Sequence, residues 1–330
     1  MKKGLASGAL IGTSAFASGQ DPKESTQNKV DKDKIIQRPM GDPEEIVIER
    51  PMPGKPHTGK VLLAIQAHSD DIPLFAGGLV AKLMDEGYTG YLLRTSDDSS
   101  GNYEGNRKDN ADIAAFYGMK KAYDFMYKHH QMDAIQIQDL KARLIFLFRL
   151  LQVDTLICWD PWEHYEENPD HQATSHAVEA ARWMAGMRTD YPEHLDAGLK
   201  PKSPREVYYY ARTPQRANRI VDITNYIDKK VEANMVIVSQ GGGGNTGSLL
   251  RKSLAKEGKK LPGLGDDDRT ANFNYIKNFM LDMYSESIRG VPSDKKTGEK
   301  YGLEWAERFR YFGPASSGLK EYISENAQKL

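Results

Sequence analysis

The sequence has one cysteine, Cys158, and almost no net charge. With a single cysteine the 330-residue chain forms no internal disulfide, so its fold must be held by its core. The 45 basic and 46 acidic residues leave a formal net charge of -1, which excludes the strong positive field typical of nucleic-acid-binding proteins. Cys158 lies within an apolar run, which favours a small buried hydrophobe over a nucleophile.

Signatures of phosphate binding and of repeat proteins are also missing. The first apolar run, at residues 61–66, is followed by His-Ser-Asp-Asp instead of GxGxxG, and these carboxylates would repel a pyrophosphate. The four glycines at 241–244 follow no predicted strand and precede no GK[ST], which favours a flexible hinge over a phosphate-binding loop. No repeat period is visible. The sequence therefore disfavours a nucleotide-binding Rossmann protein.

The N-terminal segment differs from the rest of the chain. Two lysines precede a short apolar stretch and a small-x-small site at residues 15–17, which is the order of a secretory signal peptide. The apolar stretch is too short to span a membrane. We therefore expect residues 1–17 to be a signal peptide and the protein to be secreted or periplasmic. Residues 18–59 begin with a polar, charged stretch and are predicted to form a flexible arm.

From residue 60 onward, short apolar runs alternate with helical patterns, which predicts βαβ units. The expected fold is α/β and Rossmann-like, a mostly parallel sheet with helices on both faces. It occupies one domain, residues 60–330, with irregular C-terminal loops that include a charged loop at 292–302. The predicted strands are 61–66, 88–95, 122–127, 155–159 and 206–210, the predicted helices are 74–86, 106–117, 140–151, 171–187 and 273–284, and a strand end leads into a helix within 221–239.

Histidine and aspartate side chains follow two of these strands. His68 and Asp71 come directly after the strand at 61–66, and His171 follows the strand at 155–159. Because the carboxyl ends of neighbouring parallel strands meet at one edge of a sheet, both groups are expected to lie together there. Either group alone could be explained as the cap of a helix. Capping explains less readily why such a group follows each of two predicted strands. We predict a catalytic zinc site with ligands His68, Asp71 and His171.

Other acids and histidines near these motifs have separate predicted roles. Asp70 is adjacent to a predicted ligand and is suited to act as general base for the zinc-bound water. Asp170 could orient a ligand histidine. His129 and His130 are interpreted as a solvated pair, although one of them could reach the site, and His176 is interpreted as structural.

The motifs resemble those of a known family. The stretch at 67–71, followed by two glycines, is similar to the AHPDDE motif of the PIG-L/LmbE-like zinc-dependent deacetylases, which act on N-acetylglucosamine-containing substrates. Residues 169–171 resemble the family's HPDH motif, and weaker similarities extend the match over roughly residues 60–310. The resemblance implies the same three zinc ligands and Asp70 as the base. It also implies that Arg107, at the start of an arginine-led helix, lies near the substrate.

Three positions depart from the family pattern. Ser69 replaces a proline and Ile72 replaces a glutamate, and neither position is a metal ligand in the family. Asn168 replaces the first histidine of HPDH, which is expected to stabilise the oxyanion or to protonate the leaving amine. Asparagine can donate a hydrogen bond to an oxyanion but cannot shuttle a proton, so Asp70 would act as both base and acid. Alternatively, His164 or His129 could take the role of the missing histidine.

Aromatic side chains on the loops around the motifs could bind a sugar. Trp162 lies on the loop that leads to His171, and Tyr103 lies on the loop after the second strand, so both are candidates for stacking on a pyranose ring. Trp159 is assigned equally to the core or to such a sugar contact.

The function expected from the sequence is that of a secreted zinc-dependent hydrolase. It removes the N-acetyl group from an N-acetylglucosamine-containing glycan or glycoconjugate, with Asp70 activating a zinc-bound water. Two alternatives remain open. The same centre could cleave another N-acyl substrate, or the protein could be a non-catalytic glycan-binding relative.

Overall fold

A mostly parallel β-sheet organises the chain. The computed structural model describes residues 46–98, 103–164, 166–212, 214–239, 243–283, 293–314 and 318–328. The predicted signal peptide and residues 18–45 of the predicted arm lie outside the described residues. The strands are β1 (Val47–Glu49), β2 (Val61–Gln66), β3 (Thr89–Ser96), β4 (Lys121–Tyr127), β5 (Thr155–Trp159), β6 (Glu206–Tyr210), β7 (Arg219–Asp222) and β8 (Ala306–Phe312).

Within the described residues these strands form one eight-stranded sheet in the order β1-β7-β8-β6-β5-β2-β3-β4. Every pair is parallel except those of β8, which runs antiparallel between β6 and β7. The helices are α1 (Asp71–Asp85), α2 (Tyr103–Phe116), α3 (Ile137–Leu151), α4 (Pro169–Met184), α5 (Pro192–Asp196), α6 (Ile227–Val236), α7 (Thr246–Lys256), α8 (Asp268–Asn274), α9 (Asp294–Lys300) and α10 (Gly318–Asn326).

Helices cover both faces of the sheet, as the sequence predicted. Alternate residues of β2 point to opposite sides, as expected for a strand. Leu62 and Ala64 belong to one buried cluster with residues of α1 and α6, whereas Leu63 and Ile65 belong to a second cluster with residues of α3 and α4. Because β2 is covered on both faces, its sequence is a nearly continuous hydrophobic run, as expected for an interior strand, and it lies between β5 and β3.

Close packing fixes α1 against the C-terminal elements. A Cβ added at Gly78 would lie 2.6 Å from Ile223 Cγ2, so only glycine allows this approach. The carboxylate of Glu307 on β8 accepts the backbone N–H groups of Gly78 and Leu79. The N-terminus of α1, which follows the first motif, is therefore held in a defined position.

Several predictions for the ends of the domain were wrong. Val47–Glu49, assigned to a flexible arm, form β1 and pair with β7. The loop predicted at 292–302 contains α9, whose charged sequence has no apolar periodicity to reveal a helix. Helix α7 lies in the C-terminal part that was predicted to form irregular loops. The segment predicted as a helix at 273–284 begins at the end of α8 and continues as a π-helical turn, Tyr275–Met280.

The described residues from 46 to 314 belong to one compact unit, and α10 belongs to a separate, smaller unit. In the described part of the chain no helix combines the length and the apolar character needed to cross a membrane.

Candidate metal centre

The two motifs meet at the carboxyl edge of the sheet. β2 and β5 are hydrogen-bonded neighbours, so residues 67–71 and the start of α4 emerge side by side. One ligand atom from each of His68, Asp71 and His171 lies within 4.8 Å of the other two, and all three side chains are buried. The structure therefore brings together the three residues predicted to bind zinc.

The ligand atoms of the three side chains face one another. His68 Nδ1 lies 3.0 Å from His171 Nε2, and His171 Nε2 lies 3.3 Å from Asp71 Oδ1. These distances are similar to those between the donor atoms of two ligands that bind the same tetrahedral metal ion.

One carboxylate oxygen of Asp71 faces His171, and the other accepts hydrogen bonds that stabilise the fold. Asp71 Oδ2 accepts the backbone N–H groups of Ala67 and His68 and the indole N–H of Trp159, at 2.8–2.9 Å. Burial alone would raise the pKa of Asp71, but the charge of His171, the hydrogen bond with His171, and the charge and backbone N–H of His68 hold it well below its usual range. The carboxylate is thus ionised, with Oδ1 turned toward His171.

A carboxylate orients each of the two histidines. His68 Nε2 lies 3.0 Å from Asp170 Oδ2, and His171 Nδ1 lies 3.1 Å from Glu166 Oε1. When both imidazoles direct an N–H toward these carboxylates, their bare nitrogens face each other and require a proton or a cation between them. Burial opposes protonation of His171, but the charge of Asp71 raises its pKa to about 9. The donor set and its orientation fit a divalent metal such as zinc.

Asp70 lies beside the three ligand residues in a cavity of about 190 Å³. It occupies the position before the first turn of α1, yet its side chain makes no capping hydrogen bond. Burial, followed by the negative charges of Asp71 and Asp98, raises the pKa of Asp70 to about 7. A bound cation would oppose this shift.

Asn168 and Asp170 mainly organise the start of α4. Asn168 lines the same cavity and caps the helix, because its Oδ1 accepts the N–H of Asp170 at 2.9 Å. Asp170 is fully buried and accepts from the backbone N–H groups of His130 and Met132 as well as contacting His68. Although burial acts in the opposite direction, these hydrogen bonds lower its pKa. Its geometry is that of a group that orients a ligand.

Two of the three predicted substrate-binding residues, Arg107 and Trp162, do not line the cavity. Arg107 is exposed on α2 and does not line it. Trp162 is 47% exposed and lines a separate cavity of about 560 Å³ with Arg310 and Gln215. Tyr103 begins α2, but its side chain lies outside the described residues.

Trp159 belongs to the core. It is 1% exposed, and its ring stacks on His171 with centroids 3.9 Å apart. Of the two assignments for Trp159, the structure supports the core, because the residue is almost completely buried.

Sequence reasoning missed several residues around the centre. Glu166 contacts His171 and also receives the guanidinium N–H of Arg212, which lines the cavity. Ser69 donates from its N–H and its hydroxyl to Asp98, which explains how the serine at the position of the family's proline holds this turn. Glu166 could have been found from its closeness to the second motif, whereas no sequence signal marks Arg212.

Comparisons with known proteins agree with the motifs. Residues 63–182 match the PIG-L family model, described as GlcNAc-PI de-N-acetylase. The diacetylchitobiose deacetylase of Thermococcus kodakarensis is 26% identical over 185 residues, which are 53% of this chain and 67% of the relative. The resemblance inferred from the sequence is confirmed.

Solved structures show the same fold. The N,N′-diacetylchitobiose deacetylase of Pyrococcus horikoshii has a TM-score of 0.57 and 23% identity, covering 80% of this chain and 86% of that protein. The 4-carboxy-2-hydroxymuconate hydratase of Pseudomonas putida has a TM-score of 0.53 and 17% identity, covering 78% and 98%. Because one neighbour is named a deacetylase and another a hydratase, the fold alone does not decide the reaction.

Proposed function

We propose, from the PIG-L family domain that the chain carries at residues 63–182, that the protein is a zinc-dependent N-deacetylase. Its substrate would be an N-acetylglucosamine-containing glycan or glycoconjugate, and its products acetate and a free amine. The observation that carries the proposal is the meeting of His68, Asp71 and His171 within 4.8 Å, beside Asp70 in one cavity. The similarity to a diacetylchitobiose deacetylase supports the choice of substrate class.

The chemistry divides between the metal and the side chains around it. A zinc ion held by His68, Asp71 and His171 would polarise the acetamide carbonyl and lower the pKa of water. The carboxylates of Asp170 and Glu166 would hold the two imidazoles in position for such an ion, because each contacts the ring nitrogen that is not used as a ligand.

Asp70 is the group suited to move the proton. Its carboxylate does not cap α1 and therefore remains available in the cavity to accept a proton from the attacking water. Asp70 would then return this proton to the leaving amine, because Asn168 carries no titratable group.

Asn168 is suited to stabilise negative charge on the acetyl oxygen. Its Oδ1 is engaged by the N–H of Asp170, so its Nδ2 is the end of the amide left to donate. A hydrogen-bond donor placed where negative charge develops stabilises the transition state. The exposed ring of Trp162, on the loop between β5 and α4, is suited to stack on a pyranose ring.

The test is acetate release from N-acetylglucosamine and N,N′-diacetylchitobiose. Purified protein loaded with zinc should release acetate and amine in equal amounts, lose this activity after chelation, and regain it when zinc is restored. Retention of the sugars without any acetate release would identify a glycan-binding protein instead. Cleavage of longer N-acyl amides without acetate release would identify a different amidase.

We also propose that the enzyme acts outside the cytoplasm, supported by the signal-like residues 1–17. N-terminal sequencing of protein recovered from the periplasm or the medium should find cleavage after Ala17, and an uncleaved cytoplasmic form would contradict this.

A further inference from the structure

A second group of histidines lies against the same cavity. His129 and His130 follow β4, and their rings stack with centroids 3.7 Å apart. One nitrogen from each lies within 4.8 Å of the other and of a nitrogen of His68. Both line the cavity that contains the candidate metal centre. His68 is therefore common to two possible ligand groups.

Backbone contacts hold this pair in place. The N–H of His130 donates to Asp170 Oδ2 at 2.8 Å, and the N–H of His129 donates to Asp97 Oδ1 at 2.9 Å. His130 adopts a φ of +55°, a left-handed conformation that is strained for a residue other than glycine or asparagine. The segment is thus fixed to Asp170, the carboxylate that also orients His68.

The surroundings of His129 favour a cation. Its Nδ1 is buried and makes no hydrogen bond within the described part of the chain. The carboxylate oxygens Asp98 Oδ1 and Asp170 Oδ2 each lie 3.9 Å from this nitrogen. Clustered imidazoles with nearby carboxylates are the ligand types that zinc prefers.

We propose that His129 and His130, with His68 as a shared third ligand, form a second and weaker zinc site whose occupation inhibits the protein. His68 Nδ1 faces His171, so the nitrogen left for the second site is Nε2. A metal bound there must displace the Nε2 proton to solvent and break the contact with Asp170. This cost makes the second site weaker than the first.

Inhibition follows from the position of the second site in the same cavity, and this part of the inference rests on the proposed function. The cavity measures about 190 Å³, and each water bound to a second ion occupies about 30 Å³. An ion held by His129 and His130 would lie inside this cavity beside Asp70, where it and its bound waters would obstruct the approach of an acetamide group to the first ion.

The test counts zinc bound to the full chain across a series of chelator-buffered zinc concentrations. The wild type should bind zinc in two steps. The His130→Asn variant should weaken the second step at least about ten-fold and leave the first step in place. Because His130 is exposed, the substitution should leave the fold intact, and circular dichroism checks this. The double variant His129→Asn/His130→Asn should abolish the second step.

A matched control is His176→Asn, an exposed histidine that belongs to neither ligand group, and it should keep both steps. A single binding step in the wild type, or a second step that persists in the double variant, would overturn the proposal.

Cobalt, titrated in the same way, gives an independent spectroscopic count of the two environments. In the acetate assay, excess zinc should inhibit the wild type more strongly than His130→Asn. Should no acetate be released, the metal count still decides whether the second site exists.

Discussion

The two oxygens of Asp71 have different partners. Oδ2 receives three N–H groups, including that of Trp159, whereas Oδ1 faces His171. Because the donors fix the plane of the carboxylate, the ligand oxygen is positioned before any metal arrives. The same indole stacks on His171. Trp159 therefore organises two of the three candidate ligands without being one.

Replacing Trp159 with phenylalanine should weaken metal binding. The variant Trp159→Phe keeps an aromatic ring against His171 but removes the N–H that donates to Asp71 Oδ2. Loss of such a supporting hydrogen bond typically lowers metal affinity by about 10–100-fold. Competition with a chromophoric chelator measures the affinity. Tyr209→Phe, which removes a buried hydroxyl that contacts Glu179, is the control and should leave the affinity unchanged. Equal affinities in Trp159→Phe and the wild type would contradict this role.

The candidate ligands could be predicted from the sequence because their motifs follow two apolar runs that form adjacent strands. The supporting residues could not be predicted in the same way. Arg212 reaches Glu166 from the loop after β6, and His129 reaches His68 from the loop after β4. These contacts depend on strand order, which a single sequence does not specify. Trp162 was predicted from its loop, but its cavity does not contain the ligand residues.

At the scale of elements, a buried ionic network joins the C-terminal part of the domain to α1. Lys230 on α6 contacts Asp294 on α9 at 2.6 Å and Glu307 on β8 at 2.7 Å. Glu307 also accepts two backbone N–H groups of α1. The helix that begins with Asp71 is thus coupled to elements more than 200 residues away in sequence.

Removing the cation from this network should destabilise the fold. In Lys230→Ala two carboxylates remain buried without their partner, and breaking a buried ion pair in this way costs roughly 3–5 kcal/mol. Denaturant unfolding measures the change in the free energy of unfolding. Lys229→Ala, at an exposed position on the same helix, should cost less than about 0.5 kcal/mol. Similar stabilities of the two variants would show that the network contributes little.

The elements predicted best are those with strong apolar runs. β2, β5 and β6 have the predicted bounds, and the helices between the parallel strands begin within a few residues of their predicted positions. β1 was missed because its three residues are largely exposed and show no alternation. β8 was missed because an antiparallel strand inserted between β6 and β7 breaks the βαβ rhythm on which the prediction relied.

At the scale of the molecule, the sheet places residues far apart in sequence at one edge. His68 and His171 are separated by 103 positions, yet their nitrogens lie 3.0 Å apart because β2 and β5 are neighbours. Open α/β sheets bind ligands at the carboxyl ends of their strands, and the cavity lies there. The family match covers the part of the chain that carries both motifs.

The measurement that tests the central claim most directly is acetate release from N,N′-diacetylchitobiose by the wild type and by Asp70→Asn at equal zinc content. The wild type should release acetate, and the variant should be slower by about 10²–10⁴-fold, the usual contribution of a general base or acid. Asp112→Asn, an exposed carboxylate on α2 that is not in the cavity, should match the wild type. No acetate from the zinc-loaded wild type, or a wild-type rate in Asp70→Asn, would contradict the account.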